Sequence, residues 1–282
     1  MRMQYHRVRL GLLIILAVST CFIWYVLLSE KHVLTVAFLD IGQGDSIYIE
    51  SPTGNRVMID AGPNKTVLRE LANVMPFYDR TIDLAIATHP DKDHIGGYPD
   101  IFDRYQVSAF MEPGLLHDTK TYATLEQKVE DEGSKRLYAN RHMVLALGGG
   151  AYLYILFPDR NTTGFESNAA SIVAKLVYGD ESFLLTGDSP IAIENYLVSE
   201  FGDKLTSTVL KPGHHGSRTS TGPAFLAAVQ PVYAVISAGA NNRYGHPHQE
   251  VMDALSAEGA DILETKNGTV IFTTDGKTLT KK

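Results

Sequence analysis

Five apolar runs in this chain each lead into His or Asp, and that recurrence constrains the fold more than any other feature. Val57-Met58-Ile59 leads to Asp60, IDLAIAT to His89, FLLTG to Asp188, VLKPG to His214-His215, and VYAVIS to His246 and His248. Short runs rich in β-branched and apolar residues read as strands. Strand ends converge along one edge of a sheet, where layered folds keep their sites. The fold must therefore carry five ionisable strand ends to a common edge.

Further strands are expected at Val33–Leu39, Ser46–Glu50, Arg56–Ile59 and Val270–Thr273, with Gly42-Gln43-Gly44-Asp45 as a turn. Met143–Leu147 with Tyr152–Phe157, and Ser171–Val177 with Ser182–Thr186, read as strand pairs across glycine turns. Helical spacing marks Thr66–Met75, Thr119–Gly133, Pro190–Phe201, Pro223–Val229 and Gln249–Glu258, and Asp93 is placed to cap a helix running to about Tyr105. Tight turns between neighbouring strands, interrupted by helices, predict an α+β layered fold with antiparallel pairs. Val33 to Lys282 reads as one domain.

The formal charge of −7 argues against broad non-specific affinity for nucleic acid. The one cysteine, Cys21, excludes an internal disulfide and a thiolate metal site. Any metal must be held by histidine and carboxylate. Residues 1–32 read as a cytoplasmic stub and membrane anchor: Leu10 to Leu28 carries no charge and follows Arg2, Arg7 and Arg9. As a helix that stretch just spans a hydrocarbon core, and the basic flank places the rest of the chain outside the cytoplasm.

Within His89-Pro90-Asp91-Lys92-Asp93-His94, His89 and Asp91 are two apart on an irregular segment and can point at one ion. Asp93 and His94 open a helix, point elsewhere and suit a second ion. Histidine with carboxylate suits zinc, manganese or iron. Asp188 can bridge two ions. Two such ions polarise a phosphoryl or acyl group and supply hydroxide at neutral pH. Asp60 is placed to orient a ligand histidine. An adjacent pair points two ways, so one of His214 and His215 is expected to face the metals. Lys211, with the backbone around Gly213, Gly216 and Ser217, offers charge and hydrogen bonds to a substrate oxygen. His246 competes with His248 for the last ligand place. His6, His32, His117 and His142 have no such context.

These residues resemble the metallo-β-lactamase superfamily, and more narrowly the hydrolase domain of ComEC-type competence proteins. The resemblance rests on FLDIGQGDSIYIESPTGNRVMIDAG, ATHPDKDHIGG, SNAASIVAKLVYGDESFLLTGD, LKPGHHGSRTS and YGHPH, in that order. It implies a four-layer αβ/βα sandwich, here preceded by one transmembrane helix. It also implies two divalent ions, Zn or Mn, held by His89, Asp91, Asp93, His94, Asp188 and His246. His214, His215, Ser217, Lys211 and Asp60 would act beside them. Asp91 replaces a histidine of the superfamily pattern, and Asn168 and Ser171 occupy the region of another.

The function expected is a membrane-tethered phosphodiesterase or nuclease acting on DNA outside the cytoplasm. The chain length leaves no room for a polytopic channel, so a channel would be a separate partner. The alternatives are a hydrolase of small phosphodiesters, lactones or β-lactams, and a non-catalytic accessory subunit.

Overall fold

Leu34, Val36 and Phe38 point to one side of the first strand and Ala37 and Leu39 to the other, and all five are buried. A strand buried on both faces needs packing above and below its sheet. The computed structural model describes residues 2–29 and 33–282 and supplies both layers.

From residue 34 the chain forms β1 (Leu34–Phe38), β2 (Ile47–Glu50), β3 (Arg56–Ile59), α2 (Thr66–Val74), β4 (Thr81–Ile82) and β5 (Leu84–Ile86), after an N-terminal helix α1 (Arg2–Ser29). Then come α3 (Lys92–Ile95), α4 (Tyr98–Phe102), β6 (Gln106–Val107), β7 (Ala109–Glu112), α5 (Lys120–Glu132) and β8 (Lys135–Tyr138). The second half runs β9 (Val144–Gly148), β10 (Ala151–Phe157), β11 (Val173–Tyr178), β12 (Glu181–Leu185), α6 (Ile191–Phe201) and β13 (Val209–Lys211). It closes with α7 (Pro223–Val229), β14 (Tyr233–Ile236), α8 (Gln249–Ala257), β15 (Asp261–Glu264), β16 (Val270–Thr274) and β17 (Leu279–Lys281).

One sheet has eight strands in the order β17-β16-β1-β2-β3-β5-β7-β8, and the other has seven in the order β15-β14-β13-β12-β11-β10-β9. Their facing sides share a core that includes Val36, Phe38, Ile49, Leu153, Leu176, Phe183, Val235 and Phe272. The outer face of the first sheet packs Met58, Tyr48 and Phe110 against α2, α4 and α5 through Leu71, Ile101 and Leu125. The outer face of the second packs Leu184, Leu210 and Ile236 against α6, α7 and α8 through Leu197, Phe225 and Leu255. Helices, sheet, sheet, helices is the expected four-layer order.

Two local expectations need correction. The helix after His89 starts two residues earlier, with Asp91 rather than Asp93 at its cap, and breaks at Gly96-Gly97 before α4. Gly97 must stay small, because a Cβ there would lie 2.2 Å from the Ala61 carbonyl oxygen. Strands β7, β8 and β15 carry too little apolar periodicity to be read from the sequence alone.

Residues 1–32 and 33–282 form two compact units. Helix α1 covers the run expected to be an anchor, but the side chains of residues 26–32 lie outside the described residues. Among the described residues no helix is long and apolar enough to cross a membrane. The expectation of a transmembrane helix is not supported by the structure.

Phe272 joins the two sheets: its ring lies 6.2 Å from Phe38 in its own sheet and 5.9 Å and 5.4 Å from Phe183 and Tyr233 in the other. Phe272→Ala should cost about 3–5 kcal/mol, read as a lowered urea midpoint at unchanged m-value.

Candidate metal centre

Four loops, after β1, β5, β12 and β13, bring the centre together, and close contacts hold them. Gly44 reaches across to the segment after β5, where the Asp45 N–H donates to the Asp93 carbonyl at 3.2 Å. Gly44 has φ +126°, and a Cβ there would sit 2.1 Å from the Asp93 carbonyl oxygen, so only glycine permits the approach. Asp188 follows β12, and its N–H donates to the buried Ser171 Oγ at 3.1 Å. His214 and His215 follow β13 with φ of +50° and +56°, a left-handed pair outside glycine. That conformation costs of order 1–3 kcal/mol per residue, and it turns both rings toward Asp188.

Asp188 is the hub. Its Oδ1 faces His94 Nε2 at 3.3 Å and Lys211 Nζ at 3.8 Å. Its Oδ2 faces His215 Nε2 at 3.4 Å, His214 Nε2 at 3.8 Å and His89 Nε2 at 4.0 Å. His215 Nε2 also lies 3.4 Å from Asp93 Oδ2, and His89 Nε2 lies 3.7 Å from Asp91 Oδ2. Both members of the adjacent histidine pair thus face the hub, where one was expected.

The opposite ring edges are held from behind. His94 Nδ1 is 2.7 Å from Asp60 Oδ2, and Asp60 also accepts from the Thr88 N–H at 2.8 Å and the Thr88 hydroxyl at 2.7 Å. His215 Nδ1 is 3.3 Å from Asp45 Oδ1. His89 Nδ1 lies 3.0 Å from Thr88 Oγ1, and His214 Nδ1 lies 3.1 Å from Thr219 Oγ1.

Asp45, His94, Asp188 and His215 bring potential ligand atoms within 4.8 Å of one another, all four buried. Asp45 was read only as a turn residue; its place between GQG and a buried strand was the available signal. It faces the Nδ1 edges of His94 and His215, whereas Asp188 faces their Nε2 edges. One ion cannot lie at both edges of a ring, so Asp45 backs the histidines and the ion position lies beside Asp188.

The remaining expected residues fall in different places. Lys211 is 1% exposed, pairs with Asp45 and donates to the Gly187 carbonyl at 2.8 Å, so its charge is spent inside the cluster. Ser217 Oγ lies 3.0 Å from Thr219 Oγ1, behind His214. Asn168 Nδ2 is 3.4 Å from His214 Nδ1. The His246 ring lies 5.3 Å from that of His214 and 6.2 Å from that of His215. His248 is turned away, accepting the Arg218 N–H at 3.2 Å. His117 comes within 3.9 Å of Asp91 Oδ1, a placement the sequence did not signal.

Burial presses the imidazoles toward neutrality, and the carboxylates decide the outcome. His89 is held down to about 3 by burial and by His94, so it is neutral with a free lone pair. Burial alone would depress His215, but Asp188 and Asp45 outweigh it and push it up to about 9. Against the same penalty, Asp188 and Asp60 raise His94 well above its ordinary value. Burial would raise Asp188, yet the facing imidazoles hold it well below the usual carboxylate range.

The donor set fits a divalent cation. Nε2 of His89, His94 and His215 and Oδ1 of Asp188 are buried without a hydrogen-bond partner. Orphaned buried groups of this kind are costly unless something satisfies them. A divalent ion would do so while neutralising the carboxylates.

A pH effect follows from His215. In the metal-free protein its raised pKa contributes stability that is full below about 6.5 and is lost as pH rises through about 9. Replacing it by Gln should therefore lower Tm more at pH 6 than at pH 9.5, measured by thermal melts in chelator. Metal affinity of the natural chain should move the other way, rising with pH up to about 9 as the proton leaves.

Comparison with known proteins shows the family and the fold. Residues 39–240 match the model of the metallo-β-lactamase superfamily. ComE operon protein 3 of Bacillus subtilis is 33% identical over 270 residues, covering 89% of this chain and 34% of that protein. Competence protein ComA of Neisseria gonorrhoeae is 32% identical over 235 residues, covering 82% of this chain and 30% of that one. The chain thus spans about a third of the length of these relatives. Among solved structures, CmlA, a diiron β-hydroxylase from Streptomyces venezuelae, superposes with TM-score 0.53 at 13% identity over 82% of this chain and 52% of its own. Zn(2+)-bound PqqB from Methylobacterium extorquens gives TM-score 0.50 at 11% identity, covering 79% and 85%. The structural likeness carries the fold, and the sequence match carries the membership: the chain belongs to the metallo-β-lactamase superfamily, and its relatives include competence proteins.

Proposed function

We propose that the chain is a metal-dependent phosphodiesterase acting on nucleic acid strands. The observation that carries this reading is the ring of buried, unpartnered Nε2 atoms of His89, His94 and His215 around the Asp188 carboxylate. In this reading Asp93, His94, Asp188 and His215 hold one ion, and His89 and Asp91 hold a second that shares Asp188. Carboxylates make up half of those six residues, a hard donor set that suits manganese as well as zinc. When bound, such ions polarise a phosphoryl oxygen and lower the pKa of water.

The chain's own residues supply the rest. Asp60 and Asp45 accept the Nδ1 protons of His94 and His215 and so present the Nε2 lone pairs inward. Lys211 offsets Asp45 and leaves Asp93 and Asp188 to the ions. His246 has a buried Nδ1 without a partner and lies beside His214, free to bond a substrate oxygen. Relatives named as competence and recombination proteins favour DNA over small esters as the substrate. The uncharged run Leu10–Leu28 behind Arg2, Arg7 and Arg9 supports a membrane tether as a separate part of the reading.

The full chain, loaded with manganese or zinc, should cut single-stranded DNA and hydrolyse bis-p-nitrophenyl phosphate. Asp93→Ala and His94→Ala should each lower both rates by at least ~10³-fold, on the order of removing a group that stabilises the transition state, with circular dichroism unchanged. Hydrolysis of small esters without any cutting of DNA would replace the nuclease reading by the small-substrate one, and full activity in either variant would end both. Flotation of the full chain with liposomes, lost on deletion of residues 1–32, is the expected result for the tether.

A further inference from the structure

The four histidines that face Asp188 fall into two pairs by what stands behind them. His94 and His215 have carboxylates at Nδ1, Asp60 at 2.7 Å and Asp45 at 3.3 Å. His89 and His214 have hydroxyls there, Thr88 at 3.0 Å and Thr219 at 3.1 Å. A carboxylate behind a ligand imidazole raises its basicity and fixes its tautomer more strongly than a neutral hydroxyl.

The pairs also differ in spacing. Ligand atoms about 2.1 Å from a shared tetrahedral ion lie about 3.4 Å apart. The contacts among His94, Asp188, His215 and Asp93 are 3.3–3.4 Å, already at that spacing. Those among His89, Asp91, Asp188 and His214 are 3.7 Å, 4.0 Å and 3.8 Å, wider than that spacing.

We infer that the centre has two divalent-cation positions of unequal affinity, and that His214 is the fourth ligand of the weaker one. The tight position is Asp93, His94, Asp188 and His215. The weak position is His89, Asp91, Asp188 and His214, with Thr219 as the residue that positions the His214 ring. The weak ion exchanges with the surroundings, so occupancy of the complete centre follows the ambient concentration of free divalent metal. This inference rests on the metal-dependent reading above and adds an order of loading to it.

The test is metal stoichiometry and affinity rather than turnover. The full chain, stripped with chelator and titrated with manganese and separately with zinc, should show two resolved classes of site by calorimetry. After dialysis against metal-free buffer it should retain one equivalent by elemental analysis. His214→Gln should lose the weaker class and keep the tighter, whereas His246→Gln should keep both. Thr219→Val should weaken only the weaker class, by about 10–100-fold, and Asp60→Asn only the tighter. Thermal melts confirm folding; should His214→Gln fail to fold, His214→Asn and Thr219→Val decide by the same readout. Two equal sites in the natural chain, or two equivalents with unchanged affinities in His214→Gln, would overturn the inference. A natural chain that binds no divalent metal would instead overturn the function proposed above, so the two failures are distinguishable.

Discussion

Asp188 is a buried carboxylate faced by four imidazoles and one ammonium group within 4.0 Å. Taking a carboxylate out of water is expensive, and the cost is recovered only when opposite charge or good donors surround it closely. The partners of Asp188 come from both halves of the sandwich. His89 and His94 follow β5 of the eight-stranded sheet, Lys211 ends β13 of the seven-stranded one, and His214 and His215 follow it. Electrostatic compensation at this one point therefore requires that the two sheets meet in a definite register. The packing of Phe272 and Phe38 against Phe183 and Tyr233 supplies that register from the core side.

The site is built in depth. A ligand histidine is useful only if its tautomer is set, because the nitrogen that faces the metal must be unprotonated. Asp60, Asp45, Thr88 and Thr219 each occupy the far edge of one ring, and Ser171 ties the backbone of Asp188 to the same layer. Lys211 belongs to this backing layer and not to the substrate surface. With Asp45 and Asp188 both depressed into the ionised form, a buried cation beside them lowers the charge that a bound divalent ion would have to offset.

The tight glycine contacts explain how strand ends so far apart in sequence are held at these distances. Gly44 lets the turn after β1 lie on the backbone of Asp93. Gly216, with φ +80°, would place a Cβ 2.7 Å from Pro247, so it lets the loop of the paired histidines pack on the His246 loop. Both approaches leave no room for a side chain, and both bring carboxylate or imidazole groups toward Asp188.

Much of this was legible in the sequence, because strand-end placement of His and Asp is a local pattern. A layered α+β fold was recognisable from tightly turned strand pairs interrupted by helices, the family resemblance implied its four layers, and the His89–His94 segment, Asp188, Asp60 and the His214-His215 pair all stand at the hub or behind it. What the sequence could not decide is direction. A ring nitrogen or carboxylate oxygen is aimed by backbone conformation and by neighbours distant in the chain. Thus Asp45 passed for a turn residue, Lys211 for a substrate contact, and only one of two adjacent histidines was expected to face the centre. The left-handed φ of both His214 and His215 turned the second ring inward, and Asp45 claimed the lysine. The apolar N-terminal run determined a helix by its composition, and composition alone says nothing of what surrounds it. Sequence determined which groups the chain brings to one edge; tertiary packing determined which atoms of those groups meet.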